Sequence, residues 1–188
     1  SFHTPGGEVN LDPSLETDEA IAVVRCRLAA ALGRSRWELQ LFQGTVELED
    51  GASLGQALSN AVAPVVTVVV QQLPPLKIGE LYANDGDFAE SIRIFEEQGA
   101  AALESDVSQL GPKDYFLRAG ILHLVTGDAA ALRLATDKYK SLDSGFGASP
   151  EAELLIDLAA AVETRDDFGF QDKLLTYDAA TRLDAWQT

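Results

Sequence analysis

From residue 76 to the end of the chain, apolar residues recur every three to four positions, the period of a helix with a buried face. Ile78, Leu81 and Tyr82 begin a short helix, and Asn84-Asp85-Gly86-Asp87 reads as a tight turn. Phe88, Ile92, Phe95, Gly99 and Ala102 then mark one face of a second helix. The stretch Lys113–Leu124 carries two apolar stripes, Tyr115/Ala119/Leu122 and Phe116/Gly120/His123, so this helix is predicted to be buried on most of its circumference. Gly120 in mid-helix costs about 1 kcal/mol in propensity, and a closely approaching neighbouring helix is the expected compensation. Gly127-Asp128 precedes the next helix, with face Leu132, Ala135, Tyr139 and Leu142. Gly145-Phe146-Gly147-Ala148 reads as a loop. Ser149-Pro150 is a good cap and first position for a helix with face Leu154, Leu155, Leu158 and Val162. The last helix starts near Asp166, with Phe170, Leu174 and Tyr177 inward. Short turns between six helices predict antiparallel neighbours in a stacked array.

Before residue 75 the pattern is different. Glu8–Asp12 reads as a short strand, and Thr17 as the cap of a helix with Asp18 and Glu19 in its first turn. Ile21, Val24, Leu28, Ala31 and Leu32 mark the face of that helix, and Gly33 ends it. Trp37, Leu39 and Leu41 alternate as a strand, Leu48-Glu49-Asp50-Gly51 is a turn, Ser53–Leu58 is a short helix, and Val66, Val68 and Val70 form a last buried strand. Leu73-Pro74-Pro75 stops ladders and helices alike. The expected organisation is therefore a domain over 1–73 and another over 76–188.

Charge narrows the partners. The chain has 14 Lys and Arg against 30 Asp and Glu, for a net −16. Residues 76–188 hold ten basic and 21 acidic residues, net −11, and all five lysines. This argues against nucleic acid as a partner, which would need clustered cations, and suits an acidic face docked on a basic protein surface. The single cysteine, Cys26, allows no internal disulfide and fits a cytoplasmic protein. The longest apolar run, Val62 to Val70, is interrupted by Pro64 and Thr67 and is far short of the roughly 20 residues of a membrane span. The chain contains no methionine, which suggests a fragment or processed product. There is no phosphate-binding glycine loop, and His3 and His123 each lack a second ligand at metal spacing. No catalytic residue, metal site or cofactor is expected. Arg25, Arg27, Arg34 and Arg36 read as a solvated basic face.

Leu39-Gln40-Leu41-Phe42-Gln43-Gly44, followed by Leu48-Glu49-Asp50-Gly51 and Ser53-Leu54, resembles the third strand and following turn of ubiquitin. The order of elements from Val9 to about Val70 is similar to a ubiquitin-like (β-grasp) fold, with the first strand incomplete or irregular because Ser1–Pro5 carries a proline and no apolar run. The resemblance implies an apolar patch at Leu41 and Val68 that partner domains grip. With no Gly-Gly end, conjugation to a target is not expected.

Lys113–His123, Leu154-Leu155-Ile156-Asp157-Leu158, Tyr177-Asp178 and the ending Arg182-Leu183-Asp184-Ala185-Trp186 resemble the C-terminal half of the soluble NSF attachment proteins, and Tyr82–Phe95 resembles the helix pair before it. The resemblance implies an all-α, tetratricopeptide-like solenoid that acts as a non-catalytic adaptor. Its expected partners are a SNARE bundle and an NSF-type AAA ATPase in vesicle-mediated transport, with membrane association only through those partners. Asp128 and Glu163 match acids of the family's ATPase-docking set, whereas Ala160 and Thr164 stand where the family carries glutamates. Asp157, Asp166 and Asp167 lie nearby as substitutes, and Lys77 and Lys113 match positions that face the SNARE bundle. The alternative is a ubiquitin-like interaction module on a degenerate helical scaffold, bound by ubiquitin-binding domains in proteasome-linked quality control.

Overall fold

A computed structural model describes residues 2–4, 7–9, 18–59, 65–104 and 110–187. The chain divides into two compact units, Ser1–Leu73 and Pro74–Thr188.

The first unit is a mixed sheet covered on one face by a helix. Its strands are β1 (Phe2–Thr4), β2 (Gly7–Val9), β3 (Leu39–Gln43), β4 (Val46–Glu47) and β5 (Val66–Val70). They lie in the order β2-β1-β5-β3-β4, with β1 parallel to β5 and the other pairs antiparallel. Helix α1 (Ile21–Leu32) turns Ile21, Val24 and Leu28 onto Leu39, Leu41, Val66 and Val68, and all of them are buried. Gly33 ends α1 in the left-handed conformation, its N–H donating back to Ala29 and Ala30 carbonyls. A short helix, α2 (Leu54–Leu58), is capped by Ser53 and seals the core with Leu54.

Several expectations change here. The first strand is present, short, and paired in register Phe2↔Val66. Trp37 belongs to a single 3-10 turn, Arg36–Glu38, because the capping-box bonds between Ser35 and Glu38 wind the chain there. Helix α1 starts at Ile21, so Asp18 and Glu19 precede it. The expected cap Thr17 and the Asn10–Asp12 end of the strand expected over Glu8–Asp12 lie outside the described residues. The arginines are not merely solvated. Arg25 donates to the Leu39 carbonyl at 2.6 Å and pairs with Asp50 at 2.9 Å, tying α1 to the β3–β4 region. Arg27 pairs with Glu19, and Arg34 lies 3.8 Å from Glu38.

The second unit is helical: α3 (Pro75–Asn84), α4 (Phe88–Glu104), α5 (Pro112–Val125), α6 (Ala129–Leu142), a single turn α7 (Ser144–Gly147), α8 (Pro150–Thr164) and α9 (Asp167–Thr181). The stretch expected to be a loop forms α7, since Phe146 is wholly buried with its ring edge-on to Phe116 and Tyr139. Leu142, expected on the inner face of α6, is 48% exposed beside that turn. Helix α5 is the centre of the core: Tyr115 through Gly120 and Leu122 are all buried. It admits neighbours closely, because a Cβ on Gly120 would lie 2.4 Å from Leu155 Cδ1 of α8. The same device recurs where Gly79 of α3 faces the Phe95 ring and Gly99 of α4 faces the Phe116 ring. Each interior glycine thus gives up helix propensity and gains interdigitation with a large apolar side chain. Phe116 stacks on Tyr139 at 4.6 Å, carrying the core from α5 to α6.

Candidate partner-binding surface

Three helical hairpins of the second unit turn in the same way. In each, a residue in the left-handed conformation is followed by an aspartate whose carboxylate accepts a backbone N–H of the next helix. The pairs are Gly86-Asp87, Gly127-Asp128 and Arg165-Asp166, with φ of 84°, 76° and 54° at the first residue. Asp87 accepts from Glu90 N at 3.3 Å, Asp128 from Ala131 N at 2.8 Å and Asp166 from Gly169 N at 2.9 Å. These are side-chain N-caps, and a carboxylate there also meets the positive end of the helix dipole. Because consecutive long helices run in opposite directions, the α3–α4, α5–α6 and α8–α9 turns fall at one end of the array.

Four of the five expected docking acids belong to that end. Asp128 and Asp166 are the caps just described. Asp167 is exposed in the first turn of α9. Glu163, in the last turn of α8, is bonded at 2.6 Å to Arg133 near the start of α6, and so joins the two neighbouring hairpins. Asp157 stands apart, midway along α8, where it faces α9 and pairs with Lys173 at 2.8 Å. That contact raises the Lys173 pKa through the hydrogen bond and the carboxylate charge. Lys77 and Lys113 sit in the first turns of α3 and α5, at the opposite end. Lys77 is exposed and lies 3.5 Å from Glu80. A 14-residue helix such as α5 separates the two ends by about 20 Å.

The arginine and lysine partners of Glu163 and Asp157 were not expected. They lie 30 and 16 residues away in sequence, across helix interfaces, with no spacing to signal them. Asp87 had a signal, since Gly86-Asp87 repeats Gly127-Asp128. Arg118 had one too: a charge in mid-helix flanked by Tyr115-Phe116-Leu117 and Ala119-Gly120-Ile121-Leu122, in a stretch predicted to be buried on most of its circumference.

The expected patch at Leu41 and Val68 is corrected. Both side chains are 0% exposed and point from the sheet onto α1, so neither is available to a partner. Strand alternation turns Gln40, Phe42, Thr67 and Val69 the other way, with Gln40 opposite Val69 and Phe42 opposite Thr67.

A polar cluster between α4, α5 and α6 is structural in character. Glu96 accepts from Tyr139 Oη at 2.8 Å and from Lys138 at 2.7 Å. Burial, aided by the Glu96 carboxylate, pushes the Tyr139 hydroxyl pKa well above its ordinary value. His123 is half-buried beside them, and desolvation holds its pKa below 6.5, opposed by Glu96 and Asp128 and assisted by Lys138. Among the described residues there is no group of three or more His, Cys, Asp or Glu that could hold a metal ion. The α6–α8 and α8–α9 grooves hold about 150 and 200 Å³, below the roughly 300–1,000 Å³ of small-molecule pockets. Among the described residues, no helix is long and apolar enough to cross a membrane.

A family model described as "Soluble NSF attachment protein, SNAP" matches residues 71–188, which takes in the whole helical unit. The chain is 37% identical over 112 residues to the alpha-soluble NSF attachment protein of Vitis vinifera, covering 60% of this chain and 39% of that protein. It is 34% identical over 113 residues to a probable vesicular-fusion protein sec17 homolog of Schizosaccharomyces pombe, covering 60% of this chain and 39% of the relative. The human alpha-soluble NSF attachment protein is 31% identical over 113 residues, 60% of this chain and 38% of its own length. The chain therefore spans about two fifths of the length of the curated relatives it matches. No solved structure matches it significantly. A helical array of stacked antiparallel pairs, matched throughout by that family model, places the chain in the soluble NSF attachment protein family, whose members are non-catalytic attachment proteins.

Proposed function

We propose that the protein is an adaptor in vesicle-mediated transport that links a SNARE bundle to an NSF-type AAA ATPase. The observation that carries this reading is the family match over the helical unit. Asp128, Asp166, Asp167 and Glu163 gather at one end, and Lys77 and Lys113 stand at the other, beside Asp114, Glu151 and Glu153. Asp128, Asp166, Asp167 and Glu163 would meet a basic surface of the ATPase, and Lys77 and Lys113 an acidic bundle. Glu163 and Asp157 already hold Arg133 and Lys173, so contact with the ATPase through them replaces an internal pair. Asp128, Asp166 and Asp167 carry the larger share. Each exposed ion pair is worth about 0.2–1 kcal/mol, so affinity comes from the set. The protein works in the cytoplasm and reaches membranes through its partners.

The first unit is read as a β-grasp module. The strand order β2-β1-β5-β3-β4, with a parallel central pair and one helix across the sheet, supports this.

The reading is tested by bridging. An immobilised SNARE bundle should retain the ATPase only when this chain is added, and retention should fall in a Lys77→Glu/Lys113→Glu variant. Retention of the ATPase that is the same with and without the chain would refute the adaptor role.

A further inference from the structure

Residues 183–187 follow α9 without forming a helix, yet Leu183 and Trp186 pack against the same core as Phe95 and Tyr115. Asp184 and Trp186 of this segment meet Arg118. Its side chain is 4% exposed in the middle of α5. It donates to Glu80 of α3 at 3.3 Å and to the Asp184 carboxylate. Its guanidinium carbon lies 4.8 Å from the centre of the Trp186 ring, and that ring is edge-on to Phe95 of α4 at 5.4 Å. A guanidinium shared between two carboxylates and stacked on an indole is engaged both in its plane and on its face. Arg118 Nε is buried without a hydrogen-bond partner among the described residues.

We infer that Glu80, Phe95 and Arg118 form a docking site for an aspartate–x–tryptophan segment, occupied by the chain's own Asp184-Ala185-Trp186, which straps the end of the last hairpin back onto the first two. In an array of stacked repeats each hairpin ordinarily touches only its neighbours, and the ends fray independently. Here a segment beyond the third hairpin contacts the first directly through Phe95, and indirectly through Arg118 and Glu80. The strap therefore couples α3 and α4 to residues about a hundred positions downstream. It holds the three hairpins as one body, and it gives a buried charge the second carboxylate without which it would be poorly compensated. This does not depend on the adaptor reading.

The test is amide hydrogen exchange on the full chain, comparing wild type with Asp184→Asn, Trp186→Phe and Trp186→Ala, with Leu175→Ala on the exposed side of α9 as control. Helicity by circular dichroism confirms that each variant is folded. If the strap couples the ends, Asp184→Asn and Trp186→Ala speed exchange at least tenfold in α3, in α4 around Phe95 and in α5, as well as in residues 183–187. Trp186→Phe, which keeps a ring over the guanidinium, should have a smaller effect in the same segments, and Leu175→Ala should leave them unchanged. Faster exchange confined to the last residues of α9 and to 183–187 would overturn the inference. Should Trp186→Ala unfold the chain, the pair Asp184→Asn and Trp186→Phe decides by the same criterion.

Discussion

A methyl group on Gly120 has nowhere to go. It would lie 2.4 and 2.6 Å from the two terminal carbons of Leu155, a side chain itself wholly buried. Alanine improves helix propensity by about 1 kcal/mol, but overpacking a dense core costs about 1–3 kcal/mol, so the steric term wins. We expect Gly120→Ala to lose about 1 kcal/mol net, read by urea denaturation. Gly51→Ala, where a Cβ would meet nothing, should be close to neutral. His123 gives the residue-scale pH dependence. The charges facing it are Glu96 from α4, and Asp128 and Lys138 from the start and middle of α6. Because burial lowers its folded pKa, the unfolded chain binds the proton more readily. The stability it contributes is present above about pH 6.5 and is lost as pH falls through the folded pKa. A midpoint below 6.5 for the His123 ring by NMR would establish the direction, and a His123→Phe variant should show a flatter decline of Tm below pH 6.5.

At the scale of elements, the caps have two uses that substitution can separate. Asp128 holds the first turn of α6, and the same carboxylate is a candidate for the acidic surface. Asparagine caps about as well as aspartate, whereas alanine loses about 0.5–2 kcal/mol. Asp128→Ala should therefore lower the denaturation midpoint of the helical unit, while Asp128→Asn should barely move it and still remove the charge. Elements also show what local pattern can carry. Helices α4, α5, α8 and α9 are legible because their apolar residues repeat over three or four turns and their starts carry Ser149-Pro150 or an aspartate. Turn α7 is not legible: four residues hold no period, two of them are glycines, and only the burial of Phe146 against Phe116 and Tyr139 winds it. Strand β3 shows a subtler failure. Leu39, Leu41 and Phe42 are all apolar, so the strand can be set on either face, and a one-residue slip exchanges core for surface. The packing of Ile21, Val24 and Leu28 decides it, and it takes Leu41 into the core.

At the scale of the molecule, two separate cores correspond to the change of period near residue 75. The repeated left-handed residue and aspartate cap set an acid at each of the three hairpin turns on one end of the helical unit. Of this surface, Asp128, Glu163, Asp166 and Asp167 are readable in sequence as candidates. The pairing of Glu163 with Arg133, and the separation of Asp157 toward Lys173, depend on helix neighbours that no spacing encodes. The Leu-Asp-x-Trp ending is a recognisable motif by eye, but its partner Arg118 emerges only once the end of the chain folds back on α5.

The central claim is that the acidic end of the helical unit docks on the ATPase. The most direct measurement is calorimetric titration of the full chain into the N-terminal domain of an NSF-type ATPase at low and high salt. Wild type should be compared with Asp128→Asn/Glu163→Gln/Asp166→Asn/Asp167→Asn, in which both helix caps survive. Four lost surface pairs at about 0.2–1 kcal/mol each predict about fourfold or greater weakening in the variant, and weakening of wild type as salt screens the contact. Equal affinity of the two chains, or no binding by the folded wild type at low salt, would contradict the account.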